Sequence, residues 1–134
     1  MLTKLIGLLF VVALVCLNWI TSPVLADPIS CGNDIPSGRV ERPNVSGMLA
    51  AEVIGQEPGS PVNVRAQPGL EHEIVAEVLV GDRVLISARQ YVALSNGEDA
   101  VCEIWYFVQD PTNPLGWVRG DFIMTNEVAW SAQR

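Results

Sequence analysis

The stretch Val62–Arg89, VNVRAQPGLEHEIVAEVLVGDRVLISAR, decides the fold. It reads as strand, corner, strand, turn, strand. Val62–Arg65 alternates apolar and polar residues at the two-residue period of a strand with one buried face. Pro68–Gly69 bends the chain, because proline sets φ and glycine accepts a positive one. Glu73–Leu79 is partly apolar on both sides, with Ile74, Ala76 and Val78 on one and Val75 and Leu79 beside Glu77 on the other. Gly81–Asp82 supplies the next turn. Asp82–Val92 is the longest strand expected. Its alternation points Val84, Ile86 and Ala88 one way and Arg83, Ser87 and Arg89 the other.

Beyond this stretch the same grammar continues. Ser95–Asp99 is a polar loop with an Asn-Gly turn signal. Val101–Val108 is β-branched and aromatic, as strands are. Asp110–Gly116 is a loop with two prolines, Gly116–Arg119 a short strand, Arg119–Gly120–Asp121 a tight turn, and Phe122–Thr125 the last strand. Residues 127–134 are a tail whose only large apolar group is Trp130. Towards the N-terminus, Gly47–Ile54 is a first strand, and Glu57–Pro61 is a turn by composition. Residues 27–46 are rich in Pro, Gly, Ser and Asn and form an irregular arm. Asn44–Val45–Ser46 within it spells a glycosylation sequon, which we read as chance. Short strands with a turn signal about every ten residues indicate an all-β barrel or sandwich over residues 47–126.

The first 26 residues stand apart. Lys4 is the only lysine, Leu5–Leu17 is almost wholly apolar, and Val24 and Ala26 occupy the small-residue positions of a cleavage site. These are the three parts of a secretory signal peptide cleaved after Ala26, which places the chain in the periplasm or outside the cell. Retention as an anchor is the competing reading. Leu5–Ile20 reaches about 24 Å as a helix, against a hydrocarbon core of roughly 30 Å, and Asn18 interrupts it. Lipidation at Cys16 is a third reading, disfavoured because Leu14 and Val15 are not small.

All 15 acidic residues lie after the leader, against seven arginines, so the exported part carries a net charge of about −8. That disfavours nucleic acid and anionic membrane surfaces, which recruit basic segments. Loss of Cys16 with the leader leaves Cys31 and Cys102. Two cysteines in an exported chain suggest one disulfide, with a pair of free thiols as the alternative. Such a bridge would close about 70 residues, for which chain entropy gives roughly 4 kcal/mol.

Four pieces in order carry a family likeness: Asn63–Val64–Arg65–Ala66–Gln67–Pro68–Gly69, Val80–Gly81–Asp82–Arg83–Val84, Trp105–Tyr106–Phe107–Val108 and Gly116–Trp117–Val118. Together they resemble the bacterial SH3-like domain over about Met48–Thr125. The resemblance implies a small, partly open barrel of five to six short strands and a non-catalytic binding or targeting module. Peptidoglycan peptide or an envelope protein would be its partner. The chain departs from the family pattern in a longer loop, Tyr91–Ile104, which contains Cys102, and in the two prolines of Asp110–Leu115. Those loops suggest an alternative, an accessory or inhibitory subunit of an envelope enzyme.

Six residues are candidates for ligand binding: Asn63, Arg65, Trp105, Tyr106, Trp117 and Asp121. Neighbouring strand residues point to opposite faces, so Trp105 and Tyr106 cannot both face one core. Tyr106 and Val108 are expected inward and Trp105 over the outer edge. The functional reading makes the aromatic residues a shallow groove for a peptide or glycan stem. Arg65 either serves the fold, through backbone carbonyls or Asp121, or holds a ligand carboxylate with two parallel hydrogen bonds. Arg119–Gly120–Asp121 spells an adhesion tripeptide, but a turn explains it better. No catalytic residue, metal or cofactor is expected. His72, the only histidine, sits in a charged corner between Glu71 and Glu73. One histidine and two distant cysteines do not make zinc spacing, and no phosphate loop or nucleophile elbow is present.

Overall fold

The alternation becomes a single antiparallel sheet. A computed structural model describes residues 29–31, 37–45, 47–95 and 100–133. The leader, its cleavage site and the Asn-Gly signal lie outside these residues. Among the described residues there are nine strands: β1 (Ile29–Ser30), β2 (Val40–Glu41), β3 (Leu49–Val53), β4 (Pro61–Arg65), β5 (Ile74–Leu79), β6 (Arg83–Ala93), β7 (Val101–Gln109), β8 (Pro114–Arg119) and β9 (Ile123–Met124). The order across the sheet is β5-β4-β8-β7-β6-β3-β9, and β1 adds to β7 and β2 to β6. The protein is all-β and SH3-like, an open sheet curled around its main core. Val53, Val64, Ile86, Val108 and Val118, all buried, fill that core. Pro61 and Pro114 each open a strand, the position where a missing N–H costs the ladder least.

One irregularity rearranges the faces. In the β6–β7 ladder Ile86 pairs with Val108, but the next pair is Ala88 with Phe107. Ser87 is an extra residue, a β-bulge, and every side chain after it changes face. Strict alternation had placed Arg89 outward with Arg83 and Ser87, and Ala88 inward. Instead Arg89 pairs with the core residue Tyr106, and Ala88 pairs with Phe107 on the opposite face. Arg89 is the one buried charged residue among the described residues, 8% exposed.

The two long departures from the family pattern are mostly regular structure. Tyr91 pairs with Ile104, Val92 with Glu103 and Ala93 with Cys102, so Tyr91–Ile104 is chiefly an extended β6–β7 hairpin. The arm divides around this hairpin, with β1 on its β7 edge and β2 on its β6 edge. The arm is thus pinned at two points. Cys31 and Cys102 form a disulfide, Cα to Cα 5.3 Å, and with Tyr91 and Ala100 make a second small core. The other departure is a turn tied by Asp110. Its Oδ1 accepts from the Thr112 amide at 2.8 Å, the Thr112 hydroxyl at 2.9 Å and the Asn113 amide at 2.7 Å. Those donors, the Thr112 amide first, hold its carboxyl below the usual range.

The tail also folds back. Glu127–Gln133 is a 3-10 helix. Its Trp130 is buried in the main core, edge-on to Tyr106 with ring centroids 5.8 Å apart. Arg89 joins tail and arm. It donates to Glu41 on β2 at 2.7 Å and to Glu127 at 3.2 Å, and its guanidinium lies 4.6 Å from the Trp130 ring. Burial pulls the Arg89 pKa down, but the hydrogen bond to Glu41 and the nearby charges outweigh it and leave the pKa raised.

Tyr106 gives this core a pH signature. Burial, and then the negative charge of Glu127, push its phenol up to about 12. A group with a raised folded-state pKa stabilises fully below its unfolded value, here about 10, and loses that contribution as pH rises through the folded value. Roughly 2–3 kcal/mol of stability should disappear between about pH 10 and pH 12. Urea midpoints should therefore fall steeply above about pH 10. Tyr106→Phe should remove most of that slope; an unchanged slope would assign it to other groups.

Candidate functional site

The face of β4, β8 and β7 opposite the core gathers most of the candidates. Val62 and Val64 are buried, so Asn63 and Arg65 point outward from β4. Val118 is buried, so Trp117 and Arg119 share that face on β8. Tyr106 and Val108 belong to the core, so Trp105 and Phe107 share it on β7. Arg65 lies opposite Trp117 across β4 and β8, and Trp117 lies opposite Phe107 across β8 and β7. The Phe107 and Trp117 rings meet edge to face, 5.3 Å between centroids and 71° between planes, and both are half-buried.

Arg65 is held at the end of this strip. Its Nη1 donates to the His72 carbonyl at 2.7 Å, which fixes the guanidinium against the corner that follows β4. Of the two structural partners considered for Arg65, the backbone carbonyl is the one it uses. Asp121 pairs elsewhere: Arg119 Nε and Nη2 each donate to it at 2.6 Å, a fork-on-carboxylate pair. That hydrogen bonding, the larger effect, outweighs burial and leaves the Arg119 pKa raised. The Arg119–Gly120–Asp121 segment enters a 3-10 turn, Gly120–Phe122, without side-chain capping by Asp121. His72 Nε2 lies 3.2 Å from Glu71 Oε1.

Not all six candidates are available to a ligand. Tyr106 faces the core, and its hydroxyl reaches Glu127 at 3.4 Å. Trp105 is 1% exposed, its Nε1 donating to Glu103 at 3.2 Å. It is buried on the outer side rather than merely covering an edge. Asn63 is exposed, opposite Glu77 of β5. The strip that remains open is Asn63, Arg65, Trp117 and Phe107, with Arg119 and Asp121 beside it. Phe107 was not among the six, although the step of two from Trp105 marks its face. Arg119 likewise follows Trp117 by two.

Gly116 makes the strip possible. Its φ is +143°, a region that side chains resist. A Cβ there would lie 2.6 Å from the Arg65 carbonyl oxygen and 3.0 Å from Val64 Cγ1. Only glycine lets β8 approach β4 this closely and set Arg65 opposite Trp117. Gly116→Ala should cost roughly 2–3 kcal/mol in stability, from strain and overpacking together. Urea unfolding measures it, and a loss under about 0.5 kcal/mol would show that β8 can retreat.

The fold is thus an open antiparallel sheet with an aromatic pair on its outer face. Residues 60–124 match the family model of the bacterial SH3 domain. Members are generally binding modules, often of the cell wall. No curated protein and no solved structure matches the chain. The match leaves out β1 to β3 and the C-terminal 3-10 helix; of these, β1 lies beside the disulfide, and Arg89 joins β2 to the helix.

Proposed function

We propose that this chain is an exported, non-catalytic binding module that takes peptidoglycan peptide on the outer face of β4, β8 and β7. The observation that carries this reading is the half-buried Phe107–Trp117 pair, set opposite a fixed Arg65. Edge-to-face rings present an apolar, rigid surface to an aliphatic or sugar group at little entropic cost. Export is supported by the leader pattern and by a disulfide, a bond that persists in oxidising compartments. A binding role fits the matched family, whose members are generally non-catalytic binding modules. An envelope protein is the other partner this face would suit.

Sedimentation of the full chain with insoluble peptidoglycan tests the wall reading. The protein should leave the supernatant, and Trp117→Ala should weaken binding by roughly tenfold or more. No depletion of the unaltered chain removes peptidoglycan as the ligand.

A further inference from the structure

Arg65 is electrostatically out of place for an acidic chain. The chain carries 15 acidic residues and a net charge of −7. Among the described residues the other buried or half-buried guanidiniums are met by carboxylates: Arg39 by Glu41, Arg89 by Glu41 and Glu127, and Arg119 by Asp121. Arg65 is half-buried too, yet among the described residues its partner is a neutral carbonyl, that of His72. A half-buried cation is incompletely solvated, and a charge-assisted hydrogen bond to a carboxylate is stronger than one to a neutral carbonyl. The His72 bond orients the guanidinium and so lowers the entropy lost when it pairs.

We propose that the ligand presents a free carboxylate to Arg65 and lays an aliphatic group across Trp117 and Phe107. This inference rests on the binding face proposed above and adds the chemistry it selects: a peptide ending in a carboxylate, with an aliphatic side chain close to that end. The register sets the spacing, since Arg65 and Trp117 are directly opposed across β4 and β8. Carboxylate and apolar group must therefore lie within about one residue of each other, because opposed strand residues stand roughly 5 Å apart.

Two acetylated Ala-Val-Leu peptides provide the test, one with a free C-terminal carboxylate and one amidated, titrated calorimetrically into the full chain. The acid should bind about ten to a hundred times more tightly than the amide, the range for a charged hydrogen-bonded pair. Its advantage should shrink with salt. Arg65→Gln should abolish the preference. Arg65→Lys should restore only part of it, since a point charge replaces the fork. A purely structural Arg65 would leave the acid-to-amide ratio unchanged in every variant.

Equal binding of acid and amide by the unaltered chain overturns the proposal, whatever the variants do. So does binding of neither peptide by a chain that still sediments with peptidoglycan, in which case the wall reading stands alone. An acid preference without sedimentation has the opposite meaning: the carboxylate site holds and the wall reading falls.

Discussion

Replacing both Cys31 and Cys102 by serine should lower the unfolding free energy by about 4 kcal/mol, the largest single effect expected here. The two residues are 71 positions apart, so the bridge closes a loop spanning most of the folded chain. In the unfolded state that closure removes many conformations, and its loss returns them. The native state is weakened as well. β1 has two residues, too short to hold itself against β7, and Cys31 and Cys102 supply half of the four buried residues of the second core. Urea unfolding followed by tryptophan fluorescence, with and without a reductant, measures the change. The native chain under reductant should match the double serine variant. A difference below about 1 kcal/mol between bridged and unbridged forms would mean that the arm contributes little to folding.

Arg89→Ala should cost about 3 kcal/mol, at the lower end for breaking a buried ion pair. Two carboxylates lose a partner. Glu127 is largely exposed and water takes over its solvation. Glu41 is buried to about a tenth exposure, and its remaining cation is Arg39 at 3.2 Å. That second partner is why the upper end of the range is not reached. The variant also vacates the volume against Trp130 and removes its cation–π contact, worth roughly 0.5–2 kcal/mol. Arg89→Met isolates the charge, because it keeps the stem's packing. If methionine is tolerated within about 1 kcal/mol, the pair secures geometry more than stability, as buried ion pairs often do. A drop confined to alanine would then be a cavity effect. A second readout separates local from global damage: loss of Arg89 should loosen arm and tail first, which amide exchange at Asn44 reports through its bond to the Ala129 carbonyl.

The strands themselves were legible because their signal is local. Expected Val62–Arg65 is observed as Pro61–Arg65, Asp82–Val92 as Arg83–Ala93, and Val101–Val108 as Val101–Gln109. Pro-Gly and Gly-Asp corners broke the chain where they should. Part of the open strip was legible too, since Asn63, Arg65 and Trp117 share a face by parity within their own strands. Tyr106 and Trp105 were not readable as sites, because the first is taken by the core and the second is buried on the other side. Nor were the apparent loops: Tyr91–Ile104 extends a hairpin because β1 and β2 flank it, a contact made by residues about 50 to 70 positions away.

Residue order alone pointed to an all-β fold and to Cys31 and Cys102 as the two cysteines available to pair. Each follows from composition or from a period of two, which needs no knowledge of neighbours. Folding in three dimensions settled the rest. One extra residue at Ser87 reversed the faces of β6 and carried Arg89 into the core, and no local pattern announces a bulge that exists only against a partner strand. The approach of Gly116 to β4 and the return of Trp130 were settled the same way. Both depend on which distant segments meet, and that is a property of the whole open sheet rather than of any segment in it.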